Sequence, residues 1–314
     1  MTPIIHPSAM PGARRQVMLD DLAQGRLPAA FLYESRAQSE RWLAVHETCS
    51  PARNEPDCAG LYDWIAGETA TRLGDAQVSV VSLGCGGGQK DSDFLERLNC
   101  LGYWPVDISE TLTRESANNC SAQDGHPVVL DLTCAHDIGE FLGDHLPSGV
   151  PRVFILFGIL PNINPELIGV QLRQLMKPGD WLALSVNLAP GADYEDGVRR
   201  VMAQYDNAPT RTWLEGALAK LGIPENSGKL SFSREKIPGG LRRIVACWRF
   251  RAAHSIDCSG VRFSFKRGET LEVFYSIRHT ISNVLEWIHG NCLASVEYRS
   301  SRSGEEAVFL CRSR

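Results

Sequence analysis

The sequence predicts an α/β fold: a Rossmann-like, mostly parallel sheet with a smaller α+β part attached. Three observations carry that expectation. The stretch VSVVSLGCGGGQKD (Val78 to Asp91) is an apolar, β-branched run that ends at glycines and leads into helical spacing. Continuous apolar runs of this kind are strands buried on both faces, and a glycine turn after one lets a ligand approach the backbone closely. Further apolar runs then alternate with helical patterns as far as about residue 190, which is the signature of a doubly wound sheet. Beyond Gly191 the pattern changes to half-exposed alternation, the mark of antiparallel strands with one solvated face.

In order along the chain, residues 1 to about 26 are expected to be irregular, with Pro3, Pro7, Pro11 and Gly12. Residues 28–49 carry apolar positions that allow one or two short helices, and LYDWIAGETATRL (61–73) is helical. The strand at Val78 and its glycine loop follow, with a helix over 93–101. Strands are expected at 100–109, 127–133, 152–160 and 181–188, separated by helices at about 112–119, 137–146 and 165–176. KPGD after the last of these helices is a turn signal. Two more helices (193–205 and 210–221) precede an antiparallel meander through KLSFSREKIPGGLRRIVACWRF and VRFSFKRGETLEVFYSI. A helix at 278–289 and two strands, about 293–298 and 307–311, complete the chain; the closing hairpin is expected to finish the first sheet.

Composition narrows the class. The 314 residues can bury a large core, and 43% hydrophobic with 22% charged content is ordinary for a globular chain. A net charge of −5 with no long basic run argues against nucleic acid as the main partner. No apolar run approaches the length of a membrane span, and the N-terminus lacks the basic-then-apolar build of a signal peptide, so a cytoplasmic location is expected. The ten cysteines form no CxxC pair and no Cys/His cluster, which argues against structural zinc and for reduced thiols. Cys85, inside the glycine loop, is read as a small residue tolerated in a tight turn.

The loop itself discriminates between ligands. A phosphate-gripping loop needs GxxxxGK[ST], and here Gln89 precedes Lys90 while Asp91 follows it. A dinucleotide fingerprint needs a glycine where Gln89 stands. What remains is GxGxG, Gly84, Gly86 and Gly88, with two later strands each ending in an acid. Asp107 is placed to accept hydrogen bonds from ribose hydroxyls and Asp131 to meet an adenine amino group. A sulfonium nucleoside has no phosphate to hold, so the constellation fits S-adenosyl-L-methionine (SAM).

With these residues in view, the chain resembles the SAM-dependent histidine Nα-methyltransferases of ergothioneine biosynthesis, through most of its length. LGCGGGQKD is similar to that family's glycine motif, including a lysine at Lys90; YWPVDIS matches its YxPVDxS segment and VVLDLT its adenine-holding segment. The resemblance implies a class I SAM-methyltransferase sheet with a lid. It also implies cofactor contacts from Gly84, Gly86, Gly88, Lys90, Asp107, Ile108, Asp131, Leu132 and Gly158. FGILPNINPE resembles the family's GSTIGNFxPEE loop and puts Asn162 on the asparagine that meets the substrate amine. VMAQYDNA resembles AAYDDA and places Tyr205, and GETLEVFYSIR aligns Ser276 on a substrate-site serine. Residues 61–190 and 277–314 are expected to form the SAM-binding part, and 1–60 with 191–276 the substrate lid.

Two departures bear on the substrate. Phe274 stands where the family carries the glutamate that grips the imidazole of histidine, and a phenyl ring accepts no N–H bond. The family's YYPTRAE segment is CSPARNE here, Cys49 to Glu55, without its aromatic hydroxyls. The expectation is therefore a SAM-dependent enzyme of natural-product biosynthesis acting on a small amine or amino acid other than histidine, by N-methyl transfer through Asn162, Tyr205 and Ser276. One alternative is a cyclase with SAM as sole substrate, forming azetidine-2-carboxylate and methylthioadenosine. Another is a non-catalytic SAM-binding protein.

Overall fold

The computed structural model describes residues 2–50, 55–120 and 124–314. The strand before the glycine loop, β2 (Val78–Leu83), is buried at every position. It is central because it pairs in parallel on both sides, with β3 (Cys100–Asp107) and β5 (Arg152–Leu156). Its alternation decides the layers: Val81 and Leu83 enter one hydrophobic core, Val78 and Val80 the other. With β1 (Ile4–Ile5), β4 (Val128–Val129), β6 (Trp181–Asn187), β12 (Leu293–Ser300) and β13 (Glu306–Ser313), the sheet has eight strands in the order β1-β4-β3-β2-β5-β6-β13-β12. The terminal hairpin completes it as expected, with β13 running antiparallel to β6 from Glu306 opposite Asn187 to Arg312 opposite Trp181.

Residues 1–26 differ from expectation. They hold β1, which extends the sheet edge beside β4, and a helix, α1 (Pro11–Ala23). Only Met18 and Leu22 of α1 are buried, so its periodicity is weak. It starts on a proline, which suits a first helical turn, and it is anchored by tertiary contacts such as the Arg14 guanidinium donating to the Ile108 carbonyl at 2.8 Å. Strand β4 is shorter than expected because the chain turns at Asp131, whose carboxylate accepts from the Thr133 N–H at 2.8 Å. The helix after the glycine loop, α4 (Gln89–Arg97), starts earlier than its apolar spacing indicates, directly from Gly88. Helices α2 (Arg36–Cys49) and α3 (Pro56–Leu73) precede the first long strand, and α3 begins five residues before the apolar pattern that marks it.

The expected meander is divided in two. Strands β7 (Gly228–Lys236), β8 (Arg242–Phe250) and β11 (Thr270–Arg278) form a three-stranded antiparallel sheet, whereas β9 (His254–Cys258) and β10 (Val261–Phe265) pair only with each other. Phe265 stacks on Phe250 with ring centroids 4.7 Å apart, so the hairpin folds over the sheet as a flap instead of joining it. Beneath the sheet, Trp213 and Leu214, from the helix Ala208–Lys220, share one core with Leu22, Phe31 and Leu32 from the N-terminal segment. Strand β11 ties this layer to the main sheet: Ile277 N–H donates to the Pro161 carbonyl at 2.7 Å, and His279 N–H to Asn187 at 2.9 Å.

Candidate active site

The main-sheet strands and β11 enclose a cavity of about 300 Å³ at the carboxyl ends of the parallel strands, where open α/β sheets bind ligands. Gly84 and Gly86 floor it. Gly86 has φ +54°, and a Cβ there would stand 2.9 Å from the Trp42 ring, so both the turn and the close cover by α2 require glycine. Gly88 is placed differently. It is outside the cavity wall, caps α4 with φ +76°, and a Cβ on it would run into Ser116 at 2.4 Å. The structure gives it the work of packing α4 against the next helix.

Asp107 and Asp131 both reach the cavity from the strand ends. Asp107 accepts from the N–H groups of Gly86 (3.2 Å) and Ser109 (2.9 Å). Removal from bulk water pushes its pKa up to about 6, against the pull of those bonds and with a further push from Asp131. Asp131 is fixed by Thr133, through both N–H and hydroxyl (2.8 and 2.6 Å), and its own N–H donates to Ser8 at 3.0 Å. Ile108 and Leu132 line the same end, the first with its carbonyl held by Arg14. Asp91 is also on the wall. It accepts from Tyr103 Oη at 2.5 Å, and burial raises its pKa to about 6.

Lys90 lines the cavity and donates to Tyr62 Oη at 2.8 Å, with its Nζ 4.0 Å from Glu306. Tyr62 in turn donates to Glu306, and burial followed by that carboxylate drives its pKa far up. Cys85 is not poised as a thiolate: burial, with Asp107 and Asp91 nearby, raises its pKa well above the ordinary thiol value.

The opposite wall holds the groups expected for a substrate. Asn162 donates through Nδ2 to the Gly158 carbonyl at 3.2 Å, while its Oδ1 is buried with no partner. That bond also fixes the amide, since a flip would set two oxygens against each other. Tyr205 Oη donates to Ser276 Oγ at 3.0 Å. Phe274 lies against Tyr205 (centroids 6.4 Å) and Trp213 (5.6 Å, 66°). Thus Asn162, Tyr205, Ser276, Phe274, Gly158 and Lys90 come together on one cavity. Pro51 to Asn54, the body of the CSPARNE segment, lie outside the described residues.

Sequence reasoning missed Trp42 and His46, stacked on each other at 5.3 Å in the cover, and also Arg278 and Glu306. Trp42 was legible only as an apolar helix position, and nothing local marks Arg278 or Glu306 as buried. His279 is buried, bonded to Asn283 Oδ1 at 3.1 Å, and its pKa is lowered chiefly by burial.

The donor set fits a sulfonium nucleoside. Two carboxylates line the cavity, acceptors suited to hydroxyl and amino groups, and a Cβ at Gly158 (φ +72°), on the same cavity, would meet no atom within 4 Å. Among the described residues no group of three or more His, Cys, Asp or Glu is placed to hold a metal ion, and no helix is long and apolar enough to cross a membrane.

A family model described as histidine-specific methyltransferase, SAM-dependent, matches residues 26–313. No curated protein matches the chain. Solved structures with a similar course include an S-adenosylmethionine-dependent methyltransferase from Clostridium acetobutylicum (TM-score 0.47, 11% identity, 87% of this chain and 98% of that one). Another is the N-methyltransferase NodS from Bradyrhizobium japonicum in complex with S-adenosyl-L-homocysteine (0.45, 6%, 87% and 98%). A third is the magnesium protoporphyrin IX methyltransferase from Synechocystis with bound S-adenosylhomocysteine (0.46, 11%, 90% and 97%).

Proposed function

The chain belongs to the histidine-specific, SAM-dependent methyltransferase family, and from that premise we propose N-methyl transfer to a small amine or amino acid other than histidine. The observation that carries the reading is the Asn162 carbonyl, buried on the cavity wall with no donor to satisfy it. A buried acceptor left open costs about 1–3 kcal/mol, so it is built for a ligand N–H. When bound, SAM would supply an electrophilic methyl carbon: the amine lone pair would form the new N–C bond as the S–C bond broke with its electron pair going to sulfur, and the alkylated nitrogen would release one of its own protons to water. The chain's part is orientation, since displacement needs the nucleophile aligned about 3–3.5 Å from the carbon. In this reading Asp107, Asp131 and the glycine floor hold the nucleoside, and Lys90 holds the carboxylate of the methionine moiety. Asn162 aims the amine, with the Tyr205–Ser276 pair beside it. Residues 61–190 and 277–314 then serve the cofactor and 191–276 the substrate, while the expected substrate segment 1–60 serves both, since β1 joins the main sheet, Ser8 and Arg14 brace Asp131 and Ile108, and Trp42 covers the glycine loop.

Phe274 supports the choice against histidine, because the ring offers no acceptor to an imidazole N–H. The same ring supports a second reading. An apolar closure suits a reaction with no second polar substrate, in which the SAM amine attacks its own γ-carbon and expels methylthioadenosine. Incubating the protein with SAM alone, then with candidate amines, and reading products by mass separates the two. S-adenosylhomocysteine formed only with an amine is the expected result. Methylthioadenosine with azetidine-2-carboxylate from SAM alone would overturn it, and failure to bind SAM in a calorimeter would leave only a non-catalytic fold.

A further inference from the structure

Strand β11 carries Phe274, Ser276 and Arg278 at alternate positions, so the three share one face, and all three line the cavity. Arg278 is only 3% exposed. Its guanidinium donates to two neutral acceptors, the Leu188 carbonyl at 3.1 Å and Gln204 Oε1 at 3.0 Å, while its Nε–H is buried with no partner. Among the described residues no carboxylate pairs with it; the nearest negative charge in its network is Glu305, beyond Gln204. A buried cation normally has an anionic partner, because leaving one uncompensated costs several kcal/mol. Lys90, the cation expected to serve SAM, lies elsewhere, against Tyr62 and Glu306.

The distances along this wall describe a ligand. The guanidinium stands 5.2 Å from the Tyr205 ring centroid, and the Phe274 centroid is 6.4 Å from that same ring. At the Phe274 end the surface is aromatic, completed by Trp213. Asn162, whose Oδ1 is a buried acceptor, lines the same cavity. An anion-binding end, an N–H acceptor and an apolar end on one cavity are the complement of an α-amino acid with an apolar side chain. Its carboxylate and side-chain tip lie roughly 5–7 Å apart, from bond lengths near 1.5 Å. The planar guanidinium fork matches a carboxylate in particular.

Resting on the methyl-transfer reading, we propose that the acceptor is an apolar α-amino acid whose carboxylate is bound by Arg278, with its amine on Asn162 and its side chain against Phe274 and Trp213. Wild-type protein saturated with S-adenosylhomocysteine is titrated calorimetrically with L-phenylalanine and L-leucine. The same titration is run with their amines lacking the carboxylate, 2-phenylethylamine and 3-methylbutylamine, and with L-histidine. At least one of the two amino acids is expected to bind ten-fold or more tightly than its amine and than histidine. Arg278→Met should remove at least ten-fold of that affinity while S-adenosylhomocysteine binds as before, and Arg278→Lys should recover part. Binding of neither amino acid, equal binding of acid and amine, or an unchanged ratio in a folded Arg278→Met protein would overturn the proposal; the wild-type titrations stand even if the variants do not fold. Methylation of an amine as efficiently as its amino acid would remove the carboxylate assignment and leave methyl transfer standing. Methylthioadenosine formed from SAM alone would instead remove the methyl-transfer reading on which the proposal rests.

Discussion

On one side of the cavity Asp107 and Asp131 already meet N–H and hydroxyl donors of the chain, from Gly86, Ser109 and Thr133. On the other side Asn162 Oδ1 and Arg278 Nε are buried and have no hydrogen-bond partner among the described residues. The first wall is built on strand ends and turns, where backbone donors are rigid and free, so its carboxylates are held in place before any ligand arrives. The second wall is built where β11 crosses to the main sheet, and its polar groups are left for a partner to satisfy. The contrast teaches how the two walls differ: the wall of Asp107 and Asp131 is preorganised by the chain's own donors, and the wall of Asn162 and Arg278 keeps polar groups that those donors and acceptors do not answer.

Asp107→Ala tests the preorganised wall and should have the largest effect. Two lost hydrogen bonds to a charged acceptor, at about 1.5–3 kcal/mol each, weaken SAM binding by about 100-fold or more, read by calorimetry; retained affinity would refute the site. Asn162→Ala tests the incomplete wall, and about 10- to 100-fold loss of turnover is expected with SAM affinity unchanged. Loss of SAM affinity instead would move Asn162 to the cofactor side. Gly158→Ala pushes a methyl group into the open space, at a positive φ that already costs about 1–2 kcal/mol, and should weaken SAM binding about ten-fold.

The pKa of Asp107, raised to about 6, gives a smaller, pH-dependent test. Binding to ribose hydroxyls needs the carboxylate, so SAM affinity should be level above pH 6 and fall by up to about ten-fold per pH unit below it; Asp107→Asn should be weak and flat. The effect on stability has the opposite sign. A carboxyl whose folded pKa is raised stabilises the fold below its unfolded pKa and loses that contribution as pH rises through about 6. The empty Asp107→Asn protein should therefore melt no lower than wild type at pH 7. The smallest effect expected is a gain: Phe274→Glu should let L-histidine bind at millimolar concentration, measured by thermal shift. No shift would show that this position does not face the acceptor.

The cofactor side was legible because its signals are local. A buried strand must be a continuous apolar run, a tight turn needs glycine, and an acid at a strand end falls at the crevice whatever the rest of the chain does. Gly88 shows the limit, since the same spacing that marks Gly84 and Gly86 marks a glycine whose work is packing against Ser116. Helix α1 and the β9–β10 flap were not legible, because both are held by contacts with distant residues rather than by their own periodicity.

By itself the sequence determined the doubly wound sheet, its closing hairpin and the crevice at the glycine loop, each from residues close in the chain. Only the tertiary structure decided that Trp42 covers the glycine loop and that, among the described residues, no donor meets Asn162 Oδ1 and no carboxylate pairs with the buried Arg278. Burial and hydrogen-bond satisfaction depend on what other segments bring near a side chain. Arg278 is expected from sequence to open a helix; the fold makes it the last residue of β11, where the Leu188 carbonyl just after β6, Gln204 and Tyr205 close over it.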